Sequence, residues 1–368
     1  MDRFRLMPNY RYYNIEGTSP LTLDKSVGKP LRDYKIYGNS IQDGTPTPES
    51  PVEVQSIGDL VTDAESEYYG KYAVPVKVCG NNLLDETAFG KFTNWKTAEY
   101  GEMAGGFNRF KVNCKPNTVY TVWLENQNGN IGFVTVGGSV KTIQASKMWQ
   151  IQSNEGGYFY FRANVYNQKP LDNLINKIGN IQVIEGAYTA YTMPPYEPYH
   201  KPIATLIYLN EPLRKVGDYS DYIDFKRQKV VRNVTAGILD GSEEWKSSGK
   251  RFYYYNTNLN IKCLGDTIAG IQSNALPSRS WNSIRSSGAG IATYNIDNRI
   301  DIRADDFWEN VSDAKEYMAS NPIHYIAPCL TPIDEIIELP TFLTTKGTNI
   351  ITVDTEVPPS KIIAQYYK

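Results

Sequence analysis

At 368 residues the chain is long enough for two or three domains and a sizeable core. A formal net charge of −2 with a charged fraction of 21% leaves no single-sign field, which argues against nucleic acid or an anionic membrane surface as a ligand. No apolar run reaches the length of a bilayer-crossing helix.

The opening MDRFRLMPNYRYY lacks the apolar core of a signal peptide, so a chain made and kept soluble in a cytosol is expected. Cys79, Cys114, Cys263 and Cys329 lie far apart, without the close spacing of a zinc or redox pair, and are expected as buried free thiols because of their apolar neighbours. Tyrosine outnumbers phenylalanine 28 to 12. Tyrosine suits half-buried strands and partly wet faces, as in β-sandwiches that bind sugars or dock on other proteins.

In chain order, residues 1–33 are polar and turn-rich, with a YRYY cluster over Tyr10–Tyr13, and are expected to form a docking arm. Residues 34–78 carry short β-type runs around a connector whose Pro46, Pro48 and Pro51 fix φ and remove backbone donors, so it is stiff and extended and predicts a rigid surface strap. Tyr72, Val74, Val76 and Val78 alternate as in a half-buried strand, and Pro75 predicts a position at a sheet edge.

Residues 79–199 show strand patterning throughout. Phe110 and Val112 precede a Pro-Asn turn and Val119, Thr121 and Trp123 follow it at every second position, a strand-turn-strand signal. YFYFRA over Tyr158–Ala163 puts Phe159 and Phe161 on one face and Tyr158 and Tyr160 on the other. The expected unit is an antiparallel sandwich, with Trp123 in its core. Residues 200–238 read as a linking β segment, in which Asp218, Asp221 and Asp224 are expected on a solvated turn and not as a calcium site, because the glycine and bidentate glutamate of an EF-hand loop are missing. Residues 239–368 read as a C-terminal β-rich domain with one helix, in which Val311, Ala314, Tyr317 and Met318 fall at helical spacing, Asp305 or Asp306 caps the start, and Pro322 ends it. The fold class is therefore all-β, a sandwich plus further β-rich units.

Three segments carry a resemblance. YKIYGNSIQDGTPTPESPVEVQSIGD (Tyr34–Asp59), LNEPLRKVGDYSDYIDFKRQKVVRNV (Leu209–Val234) and TTKGTNIITVDTEVPPSKIIAQYY (Thr344–Tyr367) resemble recurring segments of minor structural, baseplate and tail-fibre proteins of tailed phages that infect Gram-positive bacteria. The block from NNLLD (Asn81–Asp85) to YEPY (Tyr196–Tyr199) resembles a carbohydrate-binding-module jelly roll of the kind such proteins carry. The resemblance implies a virion protein of the phage tail, assembled in the host cytoplasm as a homo-oligomer, a trimer. Its partners would be other tail or baseplate proteins and host cell-wall carbohydrate, with no membrane or nucleic acid. The termini would close a scaffold around the jelly roll if the first and last of these segments pair.

An aromatic platform stacks on a pyranose while amides, carboxylates and guanidinium groups satisfy its hydroxyls. The candidates for glycan binding are Trp95, Trp149, Tyr158, Tyr160 and Tyr166, with Asn94, Gln150, Arg162 and Asn164 as polar partners, and packing inside the sandwich is the competing role of each aromatic. No cofactor is required; related modules often hold calcium, for which Asp85 and Glu185 would be the carboxylates. Only two histidines, His200 and His324, are present, and no nucleophile elbow, zinc motif or P-loop occurs, so an enzyme is not expected. Two readings compete with glycan attachment: a purely architectural tail or head-fibre subunit, and a glycan hydrolase working through a carboxylate pair, which needs no fixed spacing.

Overall fold

The computed structural model describes residues 12–84, 101–104, 107–125, 131–134, 140–142, 148–163, 180–265, 270–286, 288–293, 296–304 and 307–368. The described residues are mostly strands in antiparallel sheets, with two α-helices, so the fold is all-β. No helix among them is long and apolar enough to cross a membrane.

Two sheets form the scaffold. A seven-stranded sheet runs in the order Tyr12–Gly17, Lys361–Tyr367, Asp33–Tyr37, Tyr222–Asp224, Lys229–Leu239, Ile323–Ile336, Gln272–Ser273. A second sheet runs Ile203–Leu209, Tyr72–Gly80, Lys346–Val353, Leu21–Val27. Alternation of apolar and polar residues turns Tyr34 and Ile36, Ile362, Ala364 and Tyr366 from the first sheet, and Leu21, Leu23, Val74, Val76, Val78, Ile351 and Val353 from the second, into one shared core. Each fully buried side chain of this kind contributes about 1.5–3 kcal/mol.

The first and last segments that carry the resemblance do pair: Ile362 stands opposite Ile36 and Lys361 opposite Tyr37. Two features differ from the sequence reading. From Tyr12 onward the expected arm is two strands of the scaffold, held by Lys361–Tyr367 and Lys346–Val353, because Leu21 and Leu23 face the shared core. The last strands of the expected C-terminal domain belong to the scaffold as well.

The strand Tyr72–Gly80 is interior, not an edge. Proline is tolerated there because Pro75 falls between two partners on one side: Asp59–Leu60 pairs with Tyr72 and Ala73, and Lys346–Val353 pairs from Val76 onward. The Pro75 carbonyl accepts from Asp354 N–H on that side, so its missing N–H also points into the gap and no ladder bond is lost.

Two units are inserted between neighbouring scaffold strands. Val78 stands opposite Ile203, so residues 79–202 leave and return at one hairpin end. Leu239 stands opposite Ile323, so residues 240–322 do the same. The first inserted unit has sheets ordered Met148–Gln152, Val119–Leu124, Ile181–Glu185 and Val140–Thr142, Ile131–Val134, Tyr158–Ala163, Phe107–Asn113, Gly101–Ala104. Tyr120 from the first sheet meets Phe159 from the second at a ring distance of 6.0 Å, both buried.

The second unit packs a four-stranded sheet on the helices Trp281–Ser286 and Val311–Ser320 around Phe252, Ile291, Ile300, Ile302, Trp308 and Met318. The cap of the longer helix is Asn310, whose side chain accepts from Ser312 and Asp313 N–H at 2.7 and 3.1 Å. Asp305 and Asp306, the expected caps, lie outside the described residues. The six-residue helix Trp281–Ser286 is too short for a periodic signal, and the sequence reading did not include it.

The proline-rich strap is not a free surface element: Pro46 and Pro48 are buried. The Pro48 carbonyl accepts from the Tyr317 hydroxyl at 2.7 Å, and Val52 N–H donates to the Asn274 carbonyl at 2.7 Å. The strap thus ties the scaffold to the second inserted unit. All four cysteines are free thiols, but only Cys329 is buried; Cys79, Cys114 and Cys263 are half-buried.

Candidate functional site

Asp85, Asn94, Trp95, Asn164 and Tyr166 lie outside the described residues. Trp149 stands opposite Val122, which is wholly buried, so its side chain belongs to the face of its sheet that looks into the sandwich, and it is half-buried there. Tyr158 lies on the other sheet and, next to inward-facing Phe159, points the opposite way. These two aromatics therefore do not share a platform. Tyr160 and Arg162 follow in the same strand, paired in register with Lys111 and Arg109.

Trp123, expected in the core, is on the outer face of its sheet, half-buried against Tyr196 with ring centroids 6.2 Å apart. The sequence reading placed it inside because its neighbours are apolar; the alternation started by Tyr120 and Val122 puts it outside. That outer face is covered by the segment after Glu185. Gly186 carbonyl accepts from the Thr121 hydroxyl at 2.6 Å, and Gln150 donates to the Tyr188 carbonyl at 3.2 Å. The segment carries Tyr191, 99% exposed, which the sequence reading did not single out.

Glu185 is exposed and paired with Lys115 at 2.9 Å. Among the described residues no group of three His, Cys, Asp or Glu side chains is placed to hold a metal ion.

The carboxylates at 218–224 are not a solvated turn. Asp218 is exposed, but Asp221 and Asp224 are buried. One Asp221 oxygen accepts from Asn233 and Val234 N–H at 2.8 and 2.9 Å, where the long strand bulges between Arg232 and Val234. The other accepts from Arg214 N–H at 3.1 Å and faces the buried Arg232 guanidinium at 3.4 Å. Burial pushes the Asp221 carboxyl up, against the pull of Arg232. Asp224 would also be pushed up by burial, but the hydrogen bonds and charge of Arg227, with Lys35, hold it below the usual carboxylate range. In the second unit Asp301 is clamped by Arg299 at 2.8 Å on both oxygens. Each of these buried carboxylates is engaged in holding structure.

The described residues form a cleft of about 490 Å³ where the strap, the scaffold and the second unit meet. Glu53, Val54 and Ser56 come from the strap, Arg214 from the turn before the buried aspartate, Gly237 and Ile238 from one long strand, and His324, Tyr325 and Ile326 from its partner. Asn274 organises it. Its side-chain oxygen accepts His324 N–H at 3.0 Å, its amide donates to Glu53 Oε1 at 3.0 Å, and its backbone N–H donates to the His324 carbonyl at 3.0 Å. Tyr325 lies over Gly237, where a Cβ would come within 2.5 Å of its Cζ, so only glycine leaves the ring room. Burial pushes the Tyr325 hydroxyl up to about 12, which keeps it protonated. Apart from His324, noted only as one of two histidines, this constellation was not anticipated, because its members lie up to 273 positions apart in sequence, from Glu53 to Ile326.

No family model matches the chain, nor does any curated protein or solved structure.

Proposed function

We propose that the chain is a non-enzymatic virion subunit of the tail tip, baseplate or fibre apparatus of a tailed phage, and that it contributes to attachment to host cell-wall glycan. One observation carries this reading. The three segments that resemble phage tail proteins, scattered over the sequence, come together as neighbours in one sheet: Lys361–Tyr367 beside Asp33–Tyr37, and Asp33–Tyr37 beside Tyr222–Asp224. Recurrent segments that assemble into one seam have a structural reason to recur together. The buried aspartates engaged in hydrogen bonds and ion pairs fit a structural role better than a hydrolytic one.

In this reading the scaffold carries two modules, and a trimer multiplies weak contacts with glycan into avidity without new interactions. The purely architectural alternative gains from Trp149, whose inward register removes it from a surface platform.

Labelled antibody against the chain, applied to intact particles, tests the location: label at the tail supports the reading, and label confined to the head overturns it. Sedimentation of the purified protein with cell walls tests attachment. Absence of wall binding leaves the architectural role.

A further inference from the structure

We propose that the cleft between the strap and the long hairpin of Lys229–Leu239 with Ile323–Ile336 is a binding site for a neutral, hydroxyl-rich saccharide unit. The inference deepens the attachment reading and rests on it for the source of the saccharide.

The volume of about 490 Å³ lies within the range of small-molecule sites, roughly 300–1,000 Å³, and such sites favour junctions between structural units. The lining is both apolar and polar. Val54, Ile238 and Ile326 supply apolar surface, and Ile238 is 58% exposed at the cleft. Residues with hydrogen-bonding side chains line it from three separate segments: Glu53, Arg214 and His324. A pyranose has an apolar face and a rim of hydroxyls that each donate and accept, so this mixture matches it on both counts.

Charge favours a neutral occupant. The lining brings one carboxylate, Glu53, and one guanidinium, Arg214, which is already paired with Glu211 at 2.5 Å. An anionic ligand would face Glu53, and a cationic one would face Arg214.

The site is held in place before any ligand arrives. Asn274, 7% exposed, fixes one oxygen of Glu53 and the backbone on both sides of His324. Preorganised polar groups lose little freedom on binding. The Tyr325 ring, packed over Gly237 in the core of the second unit, braces the hairpin from the face behind the cleft.

The test uses the full-length protein and saturation-transfer NMR with glucose, galactose, rhamnose and N-acetylglucosamine, and with glycerol 1-phosphate as the anionic probe. Two variants report on the cleft. Ile238→Trp fills it from an exposed position, and Glu53→Gln removes the charge while keeping an oxygen for Asn274. At least one neutral sugar should bind the parent protein, and Ile238→Trp should weaken it by about tenfold or more, with an unchanged unfolding temperature. Binding that survives in both variants, binding of glycerol 1-phosphate alone, or binding of no neutral sugar overturns the proposal. Wall sedimentation separates the two readings. Wall binding by the parent that Ile238→Trp leaves intact sinks the cleft and spares the attachment reading, whereas a parent protein that ignores walls sinks the attachment reading itself.

Discussion

The Glu197 carboxylate accepts the backbone N–H of Thr348 on both oxygens, at 3.1 and 3.0 Å, and the Thr348 hydroxyl at 2.9 Å. Glu197 belongs to the segment that leaves the first inserted unit, and Thr348 to a central scaffold strand, so this contact fixes that unit to its base. The opening segment joins the same clasp. Asn82 donates to the Glu197 carbonyl at 3.1 Å and accepts from Val183 N–H at 3.0 Å. The NNLLD and YEPY motifs thus meet at the junction, which gives both a structural role.

Replacing Glu197 with Ala should therefore leave Thr348 N–H without its acceptor and cost about 1–3 kcal/mol, read as a lower unfolding temperature and faster protease cleavage at the junction. Glu197→Gln should cost less, because an amide oxygen still accepts. Gly347→Ala should also destabilise: its φ is +105°, and a Cβ would lie 2.9 Å from the Glu197 carboxyl carbon. An unchanged unfolding temperature in both Glu197→Ala and Gly347→Ala would remove the clasp from the account.

Asp221 and Arg232 form the buried pair beneath the bulge. Removing one partner of a buried pair costs about 3–5 kcal/mol, chiefly because the other charge is stranded. Asp221→Ala should fall in that range, since it also orphans Asn233 and Val234 N–H. Arg232→Met should cost less, because three backbone N–H groups still hold the stranded Asp221 carboxylate and Glu335, the other carboxylate on Arg232, is partly exposed. In a double-mutant cycle by urea denaturation the two losses should not add; strict additivity would mean that the pair is not coupled.

Much of the local structure was legible before the fold was known. Alternation in Tyr72–Gly80 and in Tyr158–Ala163 marks strands because a sheet face repeats every two residues. Which strands pair was legible only at the ends, through the similar segments around Ile36 and Ile362. The burial of Asp221 was hidden because its partners are backbone N–H groups and an arginine eleven positions on, which a turn-like sequence does not announce. Pro75 misled for a similar reason: the rule against interior prolines assumes a ladder bond, and none is required where one partner strand ends and another begins. The cleft is assembled wholly by tertiary contacts, with Asn274 as its organiser, and no local pattern points to that residue.

Cys329 offers a chemical probe of the core. Burial pushes its thiol up to about 11, and the thiolate is the reactive form. Under native conditions at pH 8, iodoacetamide followed by mass spectrometry should label Cys329 more slowly than exposed model thiols, and urea should abolish that protection. Rapid native labelling of Cys329 would contradict its buried position at 3% exposure.

The Asp224 cluster should set part of the acid sensitivity. Arg227 donates to it from its side chain at 2.7 Å and from its backbone at 3.0 Å, and Lys35 stands 3.8 Å away across the strands. Its carboxyl is held low, so the folded value lies below the unfolded one, near 3.9. The stabilisation is then complete above the unfolded value and is lost as pH falls through the folded one. Asp221 and Asp301, pushed up by burial, act in the opposite sense and favour the fold as their carboxyls protonate. Asp224→Asn should isolate the first effect. With Arg227 half exposed, the loss at pH 7 should be modest, about 1 kcal/mol. Urea midpoints should show the gap between the parent and Asp224→Asn shrinking as the pH drops below about 4, because protonation then removes the same charge from both. A gap that stays constant or widens toward acid would mean that Asp224 is not held as an ion pair with Arg227.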